Sequence, residues 1–589
     1  MSYSKVIDPT VYARVSSNKD EISPFLDKQW LHTDDSNNLN YSTSQISINT
    51  NTLSSSGRWL DYADAYLSLP VFEVATSSVV GHDFAGVGAG DIRADYLLAL
   101  KSGAWNLINS IQVDYNASNI IAPNPFINLL ASYNAMTTFS QDDVKRINSS
   151  IFFLPETEDS WVWTPGVATS FGQGLCNNNN YPQPTPVALG ESTARVYRGN
   201  SSMLERQKAE AIHQSAQANV ATFNSGASSD LMADATQDSQ YVSKQQDVTG
   251  AHIKRVFACI RLKDLHPFFA SLPLLRMANL KITLNINNAS FVVRKTTGPN
   301  GWNRSLVTPG DPVLSLVNAP TLAGGSNPLM FASCFGAAQA TAGASAALND
   351  VADFEITCSV SVGGVTNNAH RGLNIPALAC RLYCPAYQLL PQFSAQYQNL
   401  GSKKCEFHDF LCIQVPAPAN RAFSQMLTPS LRGIERVVVV PHIATENFIT
   451  GANPKYAQVA SPFCELSTAP LVGGGLKQLN VRLSGLDVIQ GGGYMYGYEF
   501  FRSQMLGQGI NGGQDTGMSS GLISEKGWSR GPFQYYTIDC SRRMPENDQL
   551  TQSVELIGNN VSTVPLLLYV FVVYKREITV NVEDGAQVA

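Results

Sequence analysis

Alternating apolar and polar residues recur along most of the chain. Such stretches occupy residues 58–74, 110–121, 254–262, 279–286, 354–362, 435–443, 476–489 and 533–540. Residues two apart on an extended strand lie on the same face, so this pattern predicts half-buried antiparallel strands. The run VPLLLYVFVVY at 564–574 is apolar throughout. It has about half of the roughly 20 residues that a membrane-spanning helix needs and is rich in β-branched and aromatic residues, so it predicts a buried strand.

Helical periodicity is rare and confined to short segments. In the clearest case, 125–139, five apolar residues recur at helical spacing, namely Phe126, Leu129, Leu130, Tyr133 and Met136. Residues 264–276 and 496–508 predict shorter helices, and the capping-box pattern of Ser202 and Glu205 predicts one more. The chain is therefore predicted to be an all-β protein with a few short helices in its loops.

Two internal similarities indicate a duplication. In the first, here called the tyrosine repeat, the segment YADAYLSLP from Tyr62 recurs as YCPAYQLLP from Tyr383. In the second, here called the strand repeat, the pattern of residues 110–121 recurs at 478–489, and a predicted helix follows both copies. Such repetition is typical of a structural unit that occurs more than once. The sequence therefore predicts two similar β-sandwich modules in tandem, each with a helix after the same strand.

The repeats suggest a division of the chain into three parts. Residues 1–56 are rich in Asn, Ser and Thr and are predicted to be an N-terminal arm. Residues 57–365 form the first predicted module and carry a polar insertion at 150–250 that is too long for a simple turn. Residues 366–589 form the second module, and the Gly- and Ala-rich stretch 322–350 is predicted to be a linker or long loop.

Composition narrows the class of protein. At 589 residues the chain exceeds what one hydrophobic core organises, whereas its charged fraction of 15% is well below the roughly 25% of typical soluble proteins. The net charge of -6 leaves no positive field for binding phosphates, and the N-terminal segment 1–55 holds more acidic than basic side chains. We therefore expect no sequence-specific nucleic-acid binding.

The ten cysteines contain no CxxC pair and no secretory signal precedes them, which favours reduced thiols in a cytosolic or nuclear setting.

Five residues come nearest to a metal-binding pattern, namely Cys380, Cys384, Cys405, His408 and Cys412. On an extended strand the Cα atoms of Cys380 and Cys384 would lie about 13 Å apart, too far for one tetrahedral zinc ion. Our interpretation is that these are ordinary reduced core cysteines, and no metal is predicted.

Catalytic patterns are equally weak. The glycines of 86–91 lack the GK[ST] sequence of a phosphate-binding loop, and the segment 343–347 lacks the last glycine of a nucleophile elbow. Two acidic pairs, Asp61 with Asp64 and Asp142 with Asp143, have the residue types used in glycoside hydrolysis, although solvated loop charge or a helix cap is the preferred interpretation. No catalytic residue, cofactor site or enzymatic activity is predicted.

These features together resemble one family. Tandem modules, a helix after the early strands, a long loop in the first module and the run RLKDLHPFFASLPLLRMANLKITLNIN at 261–287 are similar to double jelly-roll major capsid proteins of double-stranded DNA viruses. Within that family the resemblance points to Polinton-like viruses and virophages, and it covers residues 58–582. It implies a tandem double jelly roll, that is, two eight-stranded antiparallel β-sandwiches.

The resemblance also implies how the protein functions. Members of the family form homotrimeric capsomers of pseudo-hexagonal outline, which tile an icosahedral shell. The implied partners are further copies of the chain in the trimer and in neighbouring capsomers, together with penton and minor capsid proteins. The implied location is the virion, assembled in the host cytoplasm or nucleus, and contact with a membrane is left open.

Two alternatives remain open from the sequence. The first is an extracellular β-sandwich carbohydrate-binding protein or glycoside hydrolase, for which a signal peptide and a disulfide or calcium motif would be expected. The second is another virion component, such as a penton or fibre protein. Pentons of this lineage are usually single jelly rolls, so the duplication favours the major capsid protein.

Overall fold

The computed structural model describes residues 24–77, 96–154, 251–287, 290–295, 328–333, 354–367, 373–375, 377–399, 401–443, 476–490, 522, 535–541, 550–561, 565–581 and 587–588. Within these ranges the protein is built almost entirely of antiparallel strands, as the alternating pattern predicts.

Fifteen strands precede residue 390 in the described part of the chain. They are β1 (Phe25–Asp34), β2 (Gln45–Asn49), β3 (Trp59–Leu60), β4 (Tyr66–Ser77), β5 (Tyr96–Leu100), β6 (Ile108–Tyr115), β7 (Ser118–Ile121), β8 (Ala251–Arg261), β9 (Leu280–Ile286), β10 (Ser290–Lys295), β11 (Leu329–Ser333), β12 (Phe354–Val362), β13 (Val365–Asn367), β14 (Leu373–Ile375) and β15 (Arg381–Leu389). Nine further strands follow. They are β16 (Ser402–Ala417), β17 (Arg421–Leu431), β18 (Ile434–Ile443), β19 (Leu476–Leu483), β20 (Leu486–Asp487), β21 (Tyr536–Asp539), β22 (Gln552–Asn560), β23 (Leu566–Asn581) and β24 (Gln587–Val588).

The helices of the described residues are short, as predicted. They are α1 (Asn51–Ser54), a 3₁₀ turn (Ala104–Leu107), α2 (Ile127–Thr138), α3 (Gln141–Ile151), α4 (Leu262–Leu265), α5 (Pro267–Ser271) and α6 (Pro391–Gln398). The clearest predicted helix is confirmed as α2, and the segment 264–276 contains α5. The helices predicted at 201–223 and 496–508 lie outside the described residues. None of the helices described is long and apolar enough to span a membrane.

The strands form two sandwiches with the same connectivity. In the first module one sheet has the order β1-β15-β4-β8, extended by β3, β12 and β10, and the facing sheet has the order β2-β9-β6-β7. In the second module the sheets have the orders β16-β23-β18-β21, extended by β24, and β17-β22-β19-β20. The eight principal strands of a module are the four of each of these two sheets without the extending strands. When they are numbered 1 to 8 along the chain, both modules have one sheet of order 1-8-3-6 and one of order 2-7-4-5. This is the jelly-roll connectivity, so the predicted fold, two eight-stranded jelly rolls in tandem, is confirmed.

The strand repeat is confirmed as an equivalence between the modules. Strands β6 and β19 have equal length and occupy the same place in the strand order, and each leads through a tight turn into its hairpin partner, β7 or β20. The turn residues Asn116 and Ala117 have φ of 44° and 68°, and their counterparts Ser484 and Gly485 have φ of 49° and 85°. Positive φ at both central residues is typical of a two-residue hairpin turn of type I′. The two modules therefore repeat the same hairpin in the same place.

The tyrosine repeat is wrong as an equivalence between modules. Tyr383 of β15 lies directly opposite Tyr66 of β4 in the same sheet, and their rings stack with centroids 5.1 Å apart. The two similar segments are therefore neighbouring antiparallel strands of one module. Their similarity reflects a shared need for aromatic residues on the outer face and small or aliphatic residues on the inner one.

These pairings favour different module boundaries from those in the predicted division. Strands β1 and β2 belong to the two sheets of the first module although they lie within the predicted arm 1–56, and β15 completes the first module beyond residue 365. We propose a first module of residues 25–389 and a second of 402–581, with α6 in the connection between them.

The two predicted loop regions are only partly described. In the predicted linker 322–350, strand β11 pairs with β5, so the linker prediction is wrong for Leu329–Ser333. Apart from residues 150–154, the predicted polar insertion at 150–250 lies outside the described residues.

Candidate functional site

The two jelly rolls meet in a buried interface, which is the candidate functional site. From the first module, α2, α5 and the end of β7 contact the sheet β16-β23-β18-β21 of the second. One continuous hydrophobic core includes residues of both modules. The interface fixes the position of one sandwich against the other.

Helix α2 supplies aromatic contacts to this interface. Ten of its twelve residues are buried, so it is enclosed on nearly all sides rather than lying on the surface. The Tyr133 hydroxyl lies 2.9 Å from Thr537 Oγ1, and the Tyr133 ring packs edge to face against Tyr535 at 4.8 Å. Phe126, which precedes the helix, packs edge to face against Tyr569 at 4.7 Å. These rings supply both apolar burial and a directional polar contact.

His266 orients the start of α5. Its Nδ1 accepts a hydrogen bond of 3.1 Å from the backbone N–H of Phe268, and Pro267 occupies the first helical position. An imidazole nitrogen that accepts is unprotonated, so the ring proton resides on Nε2. The helix thereby directs Phe268 against Phe407 of the second module, with ring centroids 5.1 Å apart.

A buried carboxylate of the second module, Asp409, lies at the contact with the first. Arg576 Nη1 donates a hydrogen bond of 2.7 Å to Asp409 Oδ2 and one of 2.6 Å to the carbonyl oxygen of Ile120 in the first module. His266 Nε2 lies 3.5 Å from Asp409 Oδ1, a close polar contact without hydrogen-bond geometry. The backbone N–H of Phe410 donates a hydrogen bond of 2.8 Å to Asp409 Oδ1.

The environment of Asp409 favours its charged form. Burial by itself raises the pKa of Asp409, but His266, Arg576 and the Phe410 N–H outweigh that effect and hold the pKa below its usual value. A buried carboxylate with a guanidinium partner and a backbone donor can stay ionised. Asp409 and Arg576 thus form a charged pair within the second jelly roll, here called the charged link, which reaches the first jelly roll through the carbonyl oxygen of Ile120.

The interface explains the continuous apolar run in β23. Nearly all residues from Leu566 to Val573 are buried, and so are Val437 to Val440 of β18. A strand covered on one side only would alternate, but this sheet packs against its own sandwich on one face and against the first module on the other. The predicted buried strand at 564–574 is confirmed, and its environment is that of a sheet buried on both faces.

Glu435 forms a second charged cluster within the second module. Its carboxylate lies 2.6 Å from His408 Nε2 and 2.9 Å from Lys575 Nζ. Burial by itself raises the pKa of Glu435, but the hydrogen bonds and charges of His408 and Lys575 outweigh it and lower the pKa from 4.5 to about 2. His408 is therefore engaged by a carboxylate rather than by a metal site.

This cluster predicts an acid-sensitive contribution to stability. Because the folded pKa of Glu435 is depressed, the contribution is present above pH 4.5 and is lost as pH falls toward 2. The variant Glu435→Gln should be less stable than wild type at pH 7 by about 1–2 kcal/mol after allowance for solvent screening. The difference should shrink between pH 4.5 and 2, as measured by urea unfolding at several pH values. Glu406→Gln, which removes an exposed carboxylate on the same strand as His408, is the matched control, and a pH-independent difference for Glu435→Gln would contradict the prediction.

The cysteines of the weak metal pattern are divided between the two modules. Cys384 lies in β15 and Cys380 just before it, whereas Cys405 and Cys412 lie in β16. Burial raises the pKa of Cys405 to about 11 and that of Cys380, together with the charge of Asp35, to about 12. These thiols are therefore protonated at neutral pH. In the ranges described, no three His, Cys, Asp or Glu side chains are grouped so that they could hold a metal ion.

The acidic pairs occupy different local settings. Asp143 lies in the first turn of α3, where its Oδ2 accepts from the backbone N–H and the hydroxyl of Ser140, while the Asp143 N–H donates to Ser140 Oγ. This reciprocal arrangement is a helix cap, the interpretation preferred from the sequence. Asp64 forms an ion pair with Lys263 at 2.9 Å, and Asp61 accepts a hydrogen bond of 3.1 Å from the backbone N–H of Ala63.

The glycine-rich segments 86–91 and 343–347 lie outside the described residues.

A second surface of interest is the outer face of the first module's larger sheet, here called the aromatic face. It is formed by Trp30, Tyr66, Phe257, Tyr383 and Tyr387. The ring of Trp30 meets that of Tyr66 edge to face at 5.5 Å, and Tyr66 stacks on Tyr383. Trp30 is 47% exposed and Phe257 is 39% exposed. Their strand neighbours on the opposite face, such as Leu67 and Leu382, are fully buried in the core.

Sequence reasoning missed both the charged link and the aromatic face. The signal for Asp409 was a carboxylate inside an apolar strand pattern, FHDFL, since a buried charge requires a partner. The partner, Arg576, lies in β23 at the far end of the chain and cannot be identified from spacing. Strand β1, which carries Trp30, lies within the predicted arm 1–56, a prediction that rests on the Asn, Ser and Thr content of that segment.

No protein-family profile matches the chain, and no curated protein is significantly similar to it. Among solved structures, the chain is similar to a protein of the Sputnik virophage determined by cryo-EM, with 10% sequence identity, a TM-score of 0.49, and 98% of this chain and 91% of that chain covered. It is also similar to the Faustovirus major capsid protein (10% identity, TM-score 0.42, 96% and 93% covered) and to the mavirus major capsid protein (9%, 0.40, 98% and 92%). Each of these similarities spans at least 96% of this chain at 10% sequence identity or less.

Proposed function

We propose that the protein is a major capsid protein whose copies assemble as homotrimers of pseudo-hexagonal outline in the icosahedral shell of a double-stranded DNA virus. It acts as a structural protein of the virion and not as an enzyme. Its partners are other copies of the chain, in the same trimer and in neighbouring capsomers, together with penton and minor capsid proteins.

One observation carries the proposal, namely two jelly rolls of identical connectivity held together by a buried interface. Because each chain contains two similar modules, a trimer contains six of them. Six similar units are the number that a hexagonal outline needs. The contacts of Arg576 with Ile120, of Tyr133 with Thr537 and of Phe268 with Phe407 make each pair of modules a firm unit rather than two tethered domains. Firm units of two jelly rolls suit a closed shell.

The oligomeric state tests this function directly. Size-exclusion chromatography with light scattering should give a mass of about three times the 63.8 kDa of one chain. Negative-stain images of the same fraction should show particles with a six-sided outline. A stable monomer at the highest attainable concentration would overturn the proposal.

A further inference from the structure

His266 is a fully buried histidine at the contact between the two jelly rolls. Its ring centroid lies 6.0 Å from that of Phe407 and 6.1 Å from that of Phe410, both on β16 of the second module. The same residue stands at the start of α5, the helix that carries Phe268 against Phe407. A change in the protonation of this ring therefore acts directly on the contact between the modules.

The two ring nitrogens of His266 have different roles. Nδ1 accepts the hydrogen bond of 3.1 Å from the backbone N–H of Phe268, which fixes the first turn of α5. Nε2 carries the ring proton and makes no hydrogen bond within the described part of the chain. A histidine that takes up a second proton becomes a donor at both nitrogens. A doubly protonated His266 can then no longer accept from Phe268, and two N–H groups would point at each other.

We propose that His266 is a pH switch, in which a second proton on the ring releases the start of α5 and loosens the first module from the second. The inference concerns a contact within one chain and goes beyond the proposed function, which does not depend on it. An ordinary histidine takes up its second proton near pH 6.5, so the switch operates in mildly acidic solution. Loss of the acceptor leaves the buried N–H of Phe268 unpaired, which is costly.

The charges that face His266 from the second module do not compensate for this loss. Asp409 Oδ1 of β16 lies 3.5 Å from Nε2, but Asp409 is already paired with Arg576 of β23 at 2.7 Å. The hydroxyl of Tyr574, also on β23, lies 3.3 Å from Asp409 Oδ2. A protonated His266 would therefore add a second cation to a buried pair whose charges already balance. Burial itself also disfavours the charged form of the ring.

The charges next to His266 on α4 have partners of their own. Asp264 accepts hydrogen bonds of 2.6 and 3.0 Å from Arg261, and Lys263 forms an ion pair of 2.9 Å with Asp64. Helix α4 thus supplies no free carboxylate that would attract a second proton to His266.

The test compares wild type with His266→Asn. Asparagine is favoured at the cap position of a helix, where its side-chain oxygen can accept from the Phe268 N–H, and it does not titrate. Between pH 8 and 5.5 the unfolding equilibrium constant of wild type, from urea denaturation, should rise relative to that of His266→Asn by up to about tenfold. The reason is that unfolding frees Nδ1 to take up a proton. His32→Asn, which replaces an exposed histidine on β1, is the matched control and should follow wild type.

The readout is the change with pH, because the smaller asparagine side chain alters packing at every pH. A ratio of the two unfolding constants that stays the same from pH 8 to 5.5 would overturn the inference. So would a ratio that moves the other way, which would show that attraction of the protonated ring to Asp409 dominates. The trimer mass tests the proposed function separately, so neither result affects it.

Hydrogen exchange of the wild type locates the effect without any substitution. The protection factors of amides in α5, and of those around Phe407 in β16, should fall between pH 8 and 5.5. Those in β19, which contains no histidine, should stay constant over the same range. Constant protection in α5 would contradict the proposed switch, even if His266→Asn did not fold.

Discussion

Replacing Arg576 with leucine is expected to destabilise the folded chain by about 3 kcal/mol, because it leaves Asp409 charged and buried without its guanidinium partner. The same change removes the 2.6 Å hydrogen bond to the carbonyl oxygen of Ile120 and so weakens the contact between modules. Urea unfolding at pH 7, followed by tryptophan fluorescence, should show a lower midpoint for Arg576→Leu than for wild type.

Two further variants make the result for Arg576 interpretable. Lys404→Ala breaks an ion pair with Glu577 between the same two strands, but that pair is exposed, so no measurable loss is expected. The double variant Asp409→Leu with Arg576→Leu removes both charges and should recover much of the lost stability, since an apolar pair can replace a buried ion pair. If Arg576→Leu alone unfolds at the same urea midpoint as wild type, the charged link contributes nothing to the stability of the folded chain.

The sequence predicted the fold well where each segment carries its own signal. The strands at 435–443 and 476–489 and the helix at 125–139 are all present, because period-two and helical patterns arise from local geometry. The strand repeat also holds, since the hairpin of β6 and β7 and that of β19 and β20 share strand length, turn and position.

The sequence was less informative about how strands are arranged. The similarity between the segments at Tyr62 and Tyr383 looked like evidence for a second module, but the two segments are paired strands that face the same surroundings. Strand order depends on pairings between residues far apart, such as Phe25 with Leu389. A pattern within one segment contains no information about its partner, so the predicted module boundaries did not anticipate these pairings.

The candidate site could be predicted least of all. The link at Asp409 depends on His266, Arg576 and the carbonyl oxygen of Ile120, which come from three separate elements. Each looks ordinary in its own segment. Only the fold shows that they meet at a buried contact between modules, where an isolated charge would be costly.

Replacing Phe268 with alanine is expected to cost about 3–5 kcal/mol, the range for removing a fully buried phenylalanine ring. Phe268 is wholly buried and touches both Phe269 and Phe407, so its loss leaves a cavity between the two jelly rolls. The urea midpoint should fall, and hydrogen exchange should rise in β16 as well as around α5, because the cavity adjoins both. Met426→Ala, an exposed truncation on β17, should change stability by no more than about 0.5 kcal/mol. A loss below about 1 kcal/mol for Phe268→Ala would show that the modules do not depend on this contact, and their firm association would then need another source.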